Sequence, residues 1–423
     1  MTPLAETSPK SADLFAAAGQ RVLPHPLPVT GEARGELWNS FLVQDRAAMI
    51  DRERSLFDQL AGSRTDSLVL FGAGGLGRKT LAGLRRVGAE PLAFTDNNST
   101  LWGTSIDGLA VLSPQDAANR FGRKAAFVTA VWSPGPERRL QHVRAGLEAM
   151  GCATVIPFTP LFWKFPEIFL PHARLDLPHR ALDQADRLDR AFALWEDDAS
   201  RSEYVEQLSW MLSTEFGPMP FFDPYNTYLP DGLFCSAPDE VFVDCGAFDG
   251  DTIRTFLRRR RSVFRRICAF EPDPANFRKL SAFVATLPET IQTRIDRLPL
   301  AAGARRQTVR FEASGSVASR IDEAGTVEVA CAPLDEILVD QAPTFIKMDI
   351  EGAEPEALAG ARNVICRHRP VLAVCVYHRQ EHLWEIPLML ADLVEDYRFF
   401  LRRYGDEFGD VVCYAVPLER FGR

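Results

Sequence analysis

Twice in this chain an apolar run breaks into a glycine-rich turn, resumes as an amphipathic stretch and returns as a second apolar run ending on a carboxylate. Residues 67–71 lead into Gly72-Ala73-Gly74-Gly75-Leu76-Gly77, then 78–87, then 91–94 and Asp96, 24 residues after Gly72. Residues 241–243 lead into Asp244-Cys245-Gly246-Ala247-Phe248-Asp249-Gly250-Asp251-Thr252, then a helix pattern over 252–261 and a strand pattern over 266–270, ending on Glu271, 21 residues after Gly250. Strand, turn, helix and parallel strand in that order build an open α/β sheet whose carboxyl edge binds ligands. No tandem repeat of short period is present, which excludes a solenoid. The expected fold class is α/β, with two Rossmann-like doubly wound domains.

At 423 residues the chain is too long for one small module and fits two or three domains. Residues 1–64 read as a flexible Pro/Ala/Gly-rich lead-in followed by helices with apolar spacing over 36–60. Residues 65–160 read as the first Rossmann-like domain. Residues 161–229 read as a helical connector, with helices over 181–195 and 202–214 and a breaker at Gly217-Pro218-Met219-Pro220. Residues 230–423 read as the second domain, with further strands over 295–300, 326–331, 344–348 and 371–377, then a loop and a closing strand over 411–416. A formal charge of −9 argues against a whole-protein grip on nucleic acid or anionic lipid. Eight scattered cysteines without a CxxC pair read as reduced thiols. No stretch approaches the roughly 20 apolar residues of a membrane helix, and the N-terminus lacks a secretory pattern. The expected compartment is the cytoplasm.

In the second domain, Asp244 can meet an ammonium group, and Gly246, Ala247 and Gly250 let the backbone come close to a ligand. The free N–H groups of the helix opening at Thr252 can accept a carboxylate. A loop offering both signs suits an amino-acid-like ligand, and Glu271 stands where nucleotide-binding folds grip two ribose hydroxyls. Together they point to S-adenosylmethionine. A third cluster, Lys347-Met348-Asp349-Ile350-Glu351-Gly352-Ala353-Glu354, puts three carboxylates at the end of another strand.

The blocks VDCGAFDGDT, FEPDPANFRKL, LPLAAGA, FIKMDIEGAEPEALAGA and RPVLAVCVYH, in this order over about 240–380, resemble the FkbM family of S-adenosylmethionine-dependent methyltransferases. The resemblance implies a class I methyltransferase fold and O-methylation, commonly of sugars on surface polysaccharides or natural products. It also implies that Asp244, Gly246 and Gly250 line the methionine part of the cofactor and Glu271 its ribose. Asn276 would order the loop behind, and Asp296 with Ala301, Ala302 and Gly303 would lie near the adenine. Lys347, Asp349, Glu351 and Glu354 would face the transfer site. The chain departs from the family after Pro370, where Tyr377-His378 keeps the histidine and lacks the acid many members have before it.

An alcohol acceptor must lose a proton. His378, ending the strand expected beside the one bearing Asp349, is the candidate base. A divalent metal held by Asp349 and Glu351 is the competing device. His378 and His382 lack a third ligand for a zinc site. The arginines Arg258, Arg259, Arg260, Arg261, Arg265 and Arg266 read as a solvated face. In the first domain Gly72, Gly74, Gly77 and Asp96 meet the dinucleotide fingerprint in outline. FGAGGLGR with FTDNN is also similar to the small nucleotide-sugar-binding domain ahead of some sugar acyltransferases, in which these glycines pass close to a phosphate. The leading function is an S-adenosylmethionine-dependent O-methyltransferase acting on a hydroxyl of a sugar, in a nucleotide-sugar, surface polysaccharide or glycosylated natural product, so that the partner is a small-molecule or glycan acceptor, with a nucleotide-sugar held by the first domain. The alternatives are an NAD-dependent oxidoreductase using the first glycine loop and a non-catalytic ligand-sensing scaffold.

Overall fold

The computed structural model describes residues 45–132, 140–213, 227–261, 263–316, 319–405 and 409–421. The lead-in over 1–35, residues 36–44 of the following helical stretch, and the breaker at 217–220 lie outside these residues. The described chain begins with the helix Arg46–Ala61, capped by Asp45, whose side chain accepts from the Ala47 N–H.

The first sheet contains β1 (Leu68–Phe71), β2 (Ala93–Thr95), β3 (Ser105–Ile106), β4 (Leu109–Leu112), β5 (Ala126–Thr129) and β6 (Val155–Pro157). Its order is β3-β4-β2-β1-β5-β6, parallel except at the β3–β4 hairpin. The larger sheet contains β7 (Val241–Cys245), β8 (Arg266–Phe270) and β9 (Ile295–Leu298). A small sheet follows, of β10 (Ala301–Ala302), β11 (Gln307–Glu312), β12 (Arg320–Ile321) and β13 (Val327–Ala332). The larger sheet then resumes with β14 (Phe345–Met348), β15 (Val371–Cys375), β16 (Tyr397–Arg403) and β17 (Val411–Pro417). Its order is β16-β17-β15-β14-β7-β8-β9, parallel except where β17 runs against both neighbours. Both expected doubly wound domains are therefore present. Strand order reverses between β7 and β14, which opens a crevice at their carboxyl ends.

The central strands are buried on both faces and, apart from Asp244 and Lys347, are apolar. Val243, Ile346, Met348, Leu372 and Val374 face one core, whereas Phe242, Phe345, Val371 and Ala373 face the other. The first of these cores also contains Leu188, Trp195, Tyr204 and Leu208, from the helices Ala185–Leu194 and Asp198–Ser213 and the turn between them. Residues expected to form a connector thus cover one face of the larger sheet, and a boundary at 229/230 cuts through that core. Trp132 packs against both this core and the core of the first domain, 5.8 Å from Trp210.

The stretch expected to be a loop before β17 contains the helix His382–Leu393 and edge strand β16. Pro387 lies inside that helix and masks its pattern. Burial of Leu383, Trp384, Ile386 and Leu390 outweighs the lost backbone bond. Among the described residues no helix is long and apolar enough to cross a membrane.

Candidate active site

A cavity of about 470 Å³ opens at the carboxyl ends of β7, β8 and β14. Gly246, Thr252, Glu271, Asn276 and Ala301 line one part of it, and Lys347, Asp349 and Glu351 another. The two parts meet because the loops after β7 and β14 touch. Gly246 has φ +84, and a Cβ on it would lie 1.9 Å from the Asp349 carbonyl oxygen. Only glycine fits there.

Glu271 is buried, and each carboxylate oxygen takes one backbone N–H: Oε2 from Phe248 and Oε1 from Asp273, both at 2.8 Å. Burial nevertheless pushes its carboxyl up to about 7. Two further acceptor lone pairs remain on a half-satisfied acid at the cavity wall, which suits a vicinal pair of hydroxyls. Beside it, Asp273 caps the helix Pro274–Ala285 with Oδ1, while Oδ2 accepts from Gly315 N at 3.0 Å and Ser319 Oγ at 2.7 Å. Asn276 Nδ2 donates to Ser316 O at 2.9 Å. These bonds fasten the arm before β12 over the cavity.

Lys347 is buried with Nζ 3.0 Å from Asp244 Oδ1, and it donates to Gly246 O at 2.6 Å. Burial alone would lower its pKa, but Asp244, Asp349 and Asp251 more than offset this and hold it protonated. Its ammonium neutralises Asp244 and pins the glycine loop.

Asp349 is the centre of a second cluster. Tyr228 Oη donates to Oδ2 at 2.6 Å, and Tyr377 Oη donates to Oδ1 at 3.3 Å. Burial pushes its carboxyl up, yet His378, Lys347 and Tyr228 pull it well below the usual carboxylate range. His378 Nδ1 lies 2.8 Å from Glu354 Oε1, and Nε2 lies 3.2 Å from Asp349 Oδ1 and 3.7 Å from Glu351 Oε1. The Nε2 contact to Asp349 is close but not aligned as a hydrogen bond. Burial would lower the imidazole's pKa, and Glu354, Asp349 and Glu351 reverse this, raising it well above its ordinary value. Glu351, at φ +55, is pushed up to about 7 by burial, and Asp410 at the same end up to about 6.

The family model described as the methyltransferase FkbM domain matches residues 244–408. This chain carries an FkbM methyltransferase domain. Among solved structures, the methyltransferase FkbM from Methylobacillus flagellatus KT matches 91% of this chain and 99% of its own, with a TM-score of 0.71 and 22% identity. At that identity the likeness shows a shared fold, and it extends beyond the FkbM domain into the N-terminal half. A putative rRNA-methylase from Clostridium thermocellum is similar over 47% of this chain and 98% of its own, at 11% identity and a TM-score of 0.28, too low to argue from. No curated protein matches the chain.

Several expected residues of the FkbM domain sit away from the cavity wall. Asp244 is fully buried against Lys347, so the ammonium it meets belongs to this chain. Ala247 is buried and donates its N–H to Phe270 O, while Gly250 caps the helix Asp251–Arg259. Asp296, expected near the adenine, is instead held by Arg266 in a two-pronged pair. His378 lies behind Asp349 and Glu351. Glu354, Asp349 and Glu351 surround its ring nitrogens, and the imidazole is not part of the cavity lining. Of the arginines expected on a solvated face, Arg259 pairs with Asp231 and Arg260 donates to Ala237 O.

Sequence reasoning missed Tyr228, Asp273, Tyr377 and Asp410. Asp273 carried a signal, since an Asp-Pro pair opening an apolar-periodic stretch marks a helix start.

In the first domain the glycine loop closes on itself, a Cβ on Gly77 falling 1.8 Å from Gly72 O, while Gly74 caps the helix Gly75–Arg86. Asp96 takes Ala73 N–H on Oδ2 and Asn98 N–H on Oδ1, both at 2.8 Å. The pattern matches that of Glu271, where one bond goes to the glycine loop and one to the residue two positions on.

Proposed function

We propose that this chain is an O-methyltransferase that takes the methyl group of S-adenosylmethionine and places it on a hydroxyl of a sugar, presented as a nucleotide-sugar, a surface polysaccharide or a glycosylated natural product. One observation carries the reading: a single cavity joins a buried carboxylate with lone pairs for two ribose hydroxyls, Glu271, to a charged cluster fit for alcohol chemistry, Asp349 with Glu351. The residues fit the cofactor, since the Gly246 turn leaves no side chain between loop and ligand and Ala301 and Ala302 offer an apolar wall to a base.

S-adenosylmethionine supplies a methyl carbon made electrophilic by its sulfonium. Glu271 would hold the ribose, and the loop pinned by Lys347 would fix the reacting end. Asp349 stays anionic beside the reacting centre, where a fixed carboxylate favours a bound cation. With the cofactor bound, the acceptor oxygen would take the methyl carbon as the S–CH₃ electron pair goes to sulfur, and the hydroxyl proton would pass to solvent water at the carboxylate end. The first domain would hold the nucleotide portion of the acceptor at Gly72, Gly74, Gly77 and Asp96, and the enzyme would work in the cytoplasm. Transfer of labelled methyl from S-adenosylmethionine to a panel of nucleotide sugars and glycans tests this. Labelling of at least one sugar, lost in Glu271→Ala, is expected. Labelling of only amines or of no acceptor would end the proposal.

A further inference from the structure

The geometry points to a divalent cation site at the transfer end of the cavity, with His378 Nε2, Asp349 Oδ1 and Glu351 Oε1 as ligands and Glu354 as the positioning residue behind the imidazole. This inference rests on the methyltransferase reading above. Glu354 is fully buried, and its Oε1 takes both the Ile350 backbone N–H at 2.9 Å and the contact from His378 Nδ1 at 2.8 Å. That clamp turns Nε2 toward the two carboxylates. A carboxylate behind one imidazole nitrogen with the other free is the arrangement by which proteins orient a metal-binding histidine.

The second observation is independent of the acidic cluster. His378 has a side chain 5% exposed, and its Nε2 is buried without a hydrogen-bond partner, although Asp349 Oδ1 is 3.2 Å away and Glu351 Oε1 is 3.7 Å away. A buried polar atom left so costs about 1–3 kcal/mol. Around a six-coordinate cation with bonds of about 2.1 Å, neighbouring ligand atoms stand about 3.0 Å apart. The two spacings from His378 Nε2, 3.2 Å to Asp349 and 3.7 Å to Glu351, lie close to that value. Ligand atoms of Asp349, Glu354 and His378 all lie within 4.8 Å of one another. The turn that returns Glu351 toward the imidazole runs through left-handed backbone at Glu351, φ +55, and Gly352, φ +104, a conformation retained where surrounding structure demands it.

One nitrogen and two carboxylate oxygens suit Mn²⁺ or a similar first-row ion. Asp349 and Glu351 line the cavity, so the remaining positions face the acceptor. A cation there would lower the pKa of the coordinated sugar hydroxyl. The proton would pass to solvent water as the oxygen takes the methyl group and the S–C pair goes to sulfur.

The test uses the full chain and Mn²⁺ as probe, with calorimetry and the electron-spin signal of free Mn²⁺ as readouts. One Mn²⁺ per chain is expected, with affinity at least about 10-fold weaker in His378→Ala and Glu351→Gln. A loss of about 10–100-fold is expected in Glu354→Gln, with partial recovery in Glu354→Asp. Binding of S-adenosylhomocysteine should be unchanged in Glu351→Gln, a residue on the loop after β14 whose change spares the core. Failure of the wild type to bind Mn²⁺, or equal binding by the wild type and Glu351→Gln, would overturn the site. Either result alongside intact S-adenosylhomocysteine binding leaves the methyltransferase reading standing, whereas loss of cofactor binding in the wild type removes that reading instead.

Discussion

Lys347 and Asp244 form an ion pair with neither partner reached by water. Removing one partner of such a pair strands the other and costs about 3–5 kcal/mol, more than the pair itself contributes. Lys347→Met should therefore lower the urea midpoint sharply, and Lys347→Met with Asp244→Asn should recover most of the loss in a double-mutant cycle. Glu271 gives a pH signature. Its folded pKa, about 7, is raised above the ordinary carboxylate value by burial, so the folded state holds its proton more tightly. Its contribution to stability is present below about pH 4.5 and is lost as pH rises through about 7, by up to about 3 kcal/mol. The stability of the protein without cofactor, measured by urea unfolding from pH 5 to pH 8, should fall more in the wild type than in Glu271→Gln. At this scale the types and order of the site residues were legible, because Gly246, Glu271 and Asp349 lie in contiguous motifs at strand ends. Their partners were not. Tyr228 meets Asp349 across 121 positions of sequence, and the grouping of Glu354 with His378 follows from folding, not from local spacing.

Among the elements, the helix Pro274–Ala285 and the arm before β12 depend on one side chain. Asp273 caps the helix with one oxygen and holds Gly315 and Ser319 with the other. Asp273→Ala should cost about 1–2 kcal/mol for the cap, and it should raise hydrogen exchange at 314–316 more than in β11. The central strands were legible because burial on both faces makes them apolar runs broken only by Asp244 and Lys347. The helix His382–Leu393 was hidden by Pro387, and β16, an edge strand, by its arginines at 398, 402 and 403. Short β3, β4 and β12 carry too few residues for any periodicity to show.

Among the described residues the two larger sheets belong to cores that adjoin at Trp132. Trp195, Tyr204 and Leu208 cover the larger sheet, and Trp132 meets Trp210 where the two cores adjoin. Trp195→Ala should destabilise the FkbM domain by about 3–5 kcal/mol. A chain beginning at residue 230 should lack a cooperative unfolding transition that one beginning at 178 keeps, with near-ultraviolet circular dichroism as the readout. The α/β class and two-domain plan were legible from the repeated strand, glycine turn and helix. The ownership of residues 178–213 was not, since an amphipathic helix announces an apolar face but not the sheet it covers. The account turns on the cavity at the ends of β7, β8 and β14, and calorimetric titration of the full chain with S-adenosylhomocysteine tests it most directly. It predicts saturable binding of one molecule per chain, lost in Glu271→Ala and Gly246→Val and retained in Asp96→Ala. Absence of binding in the wild type, or binding unchanged by Glu271→Ala, would contradict it.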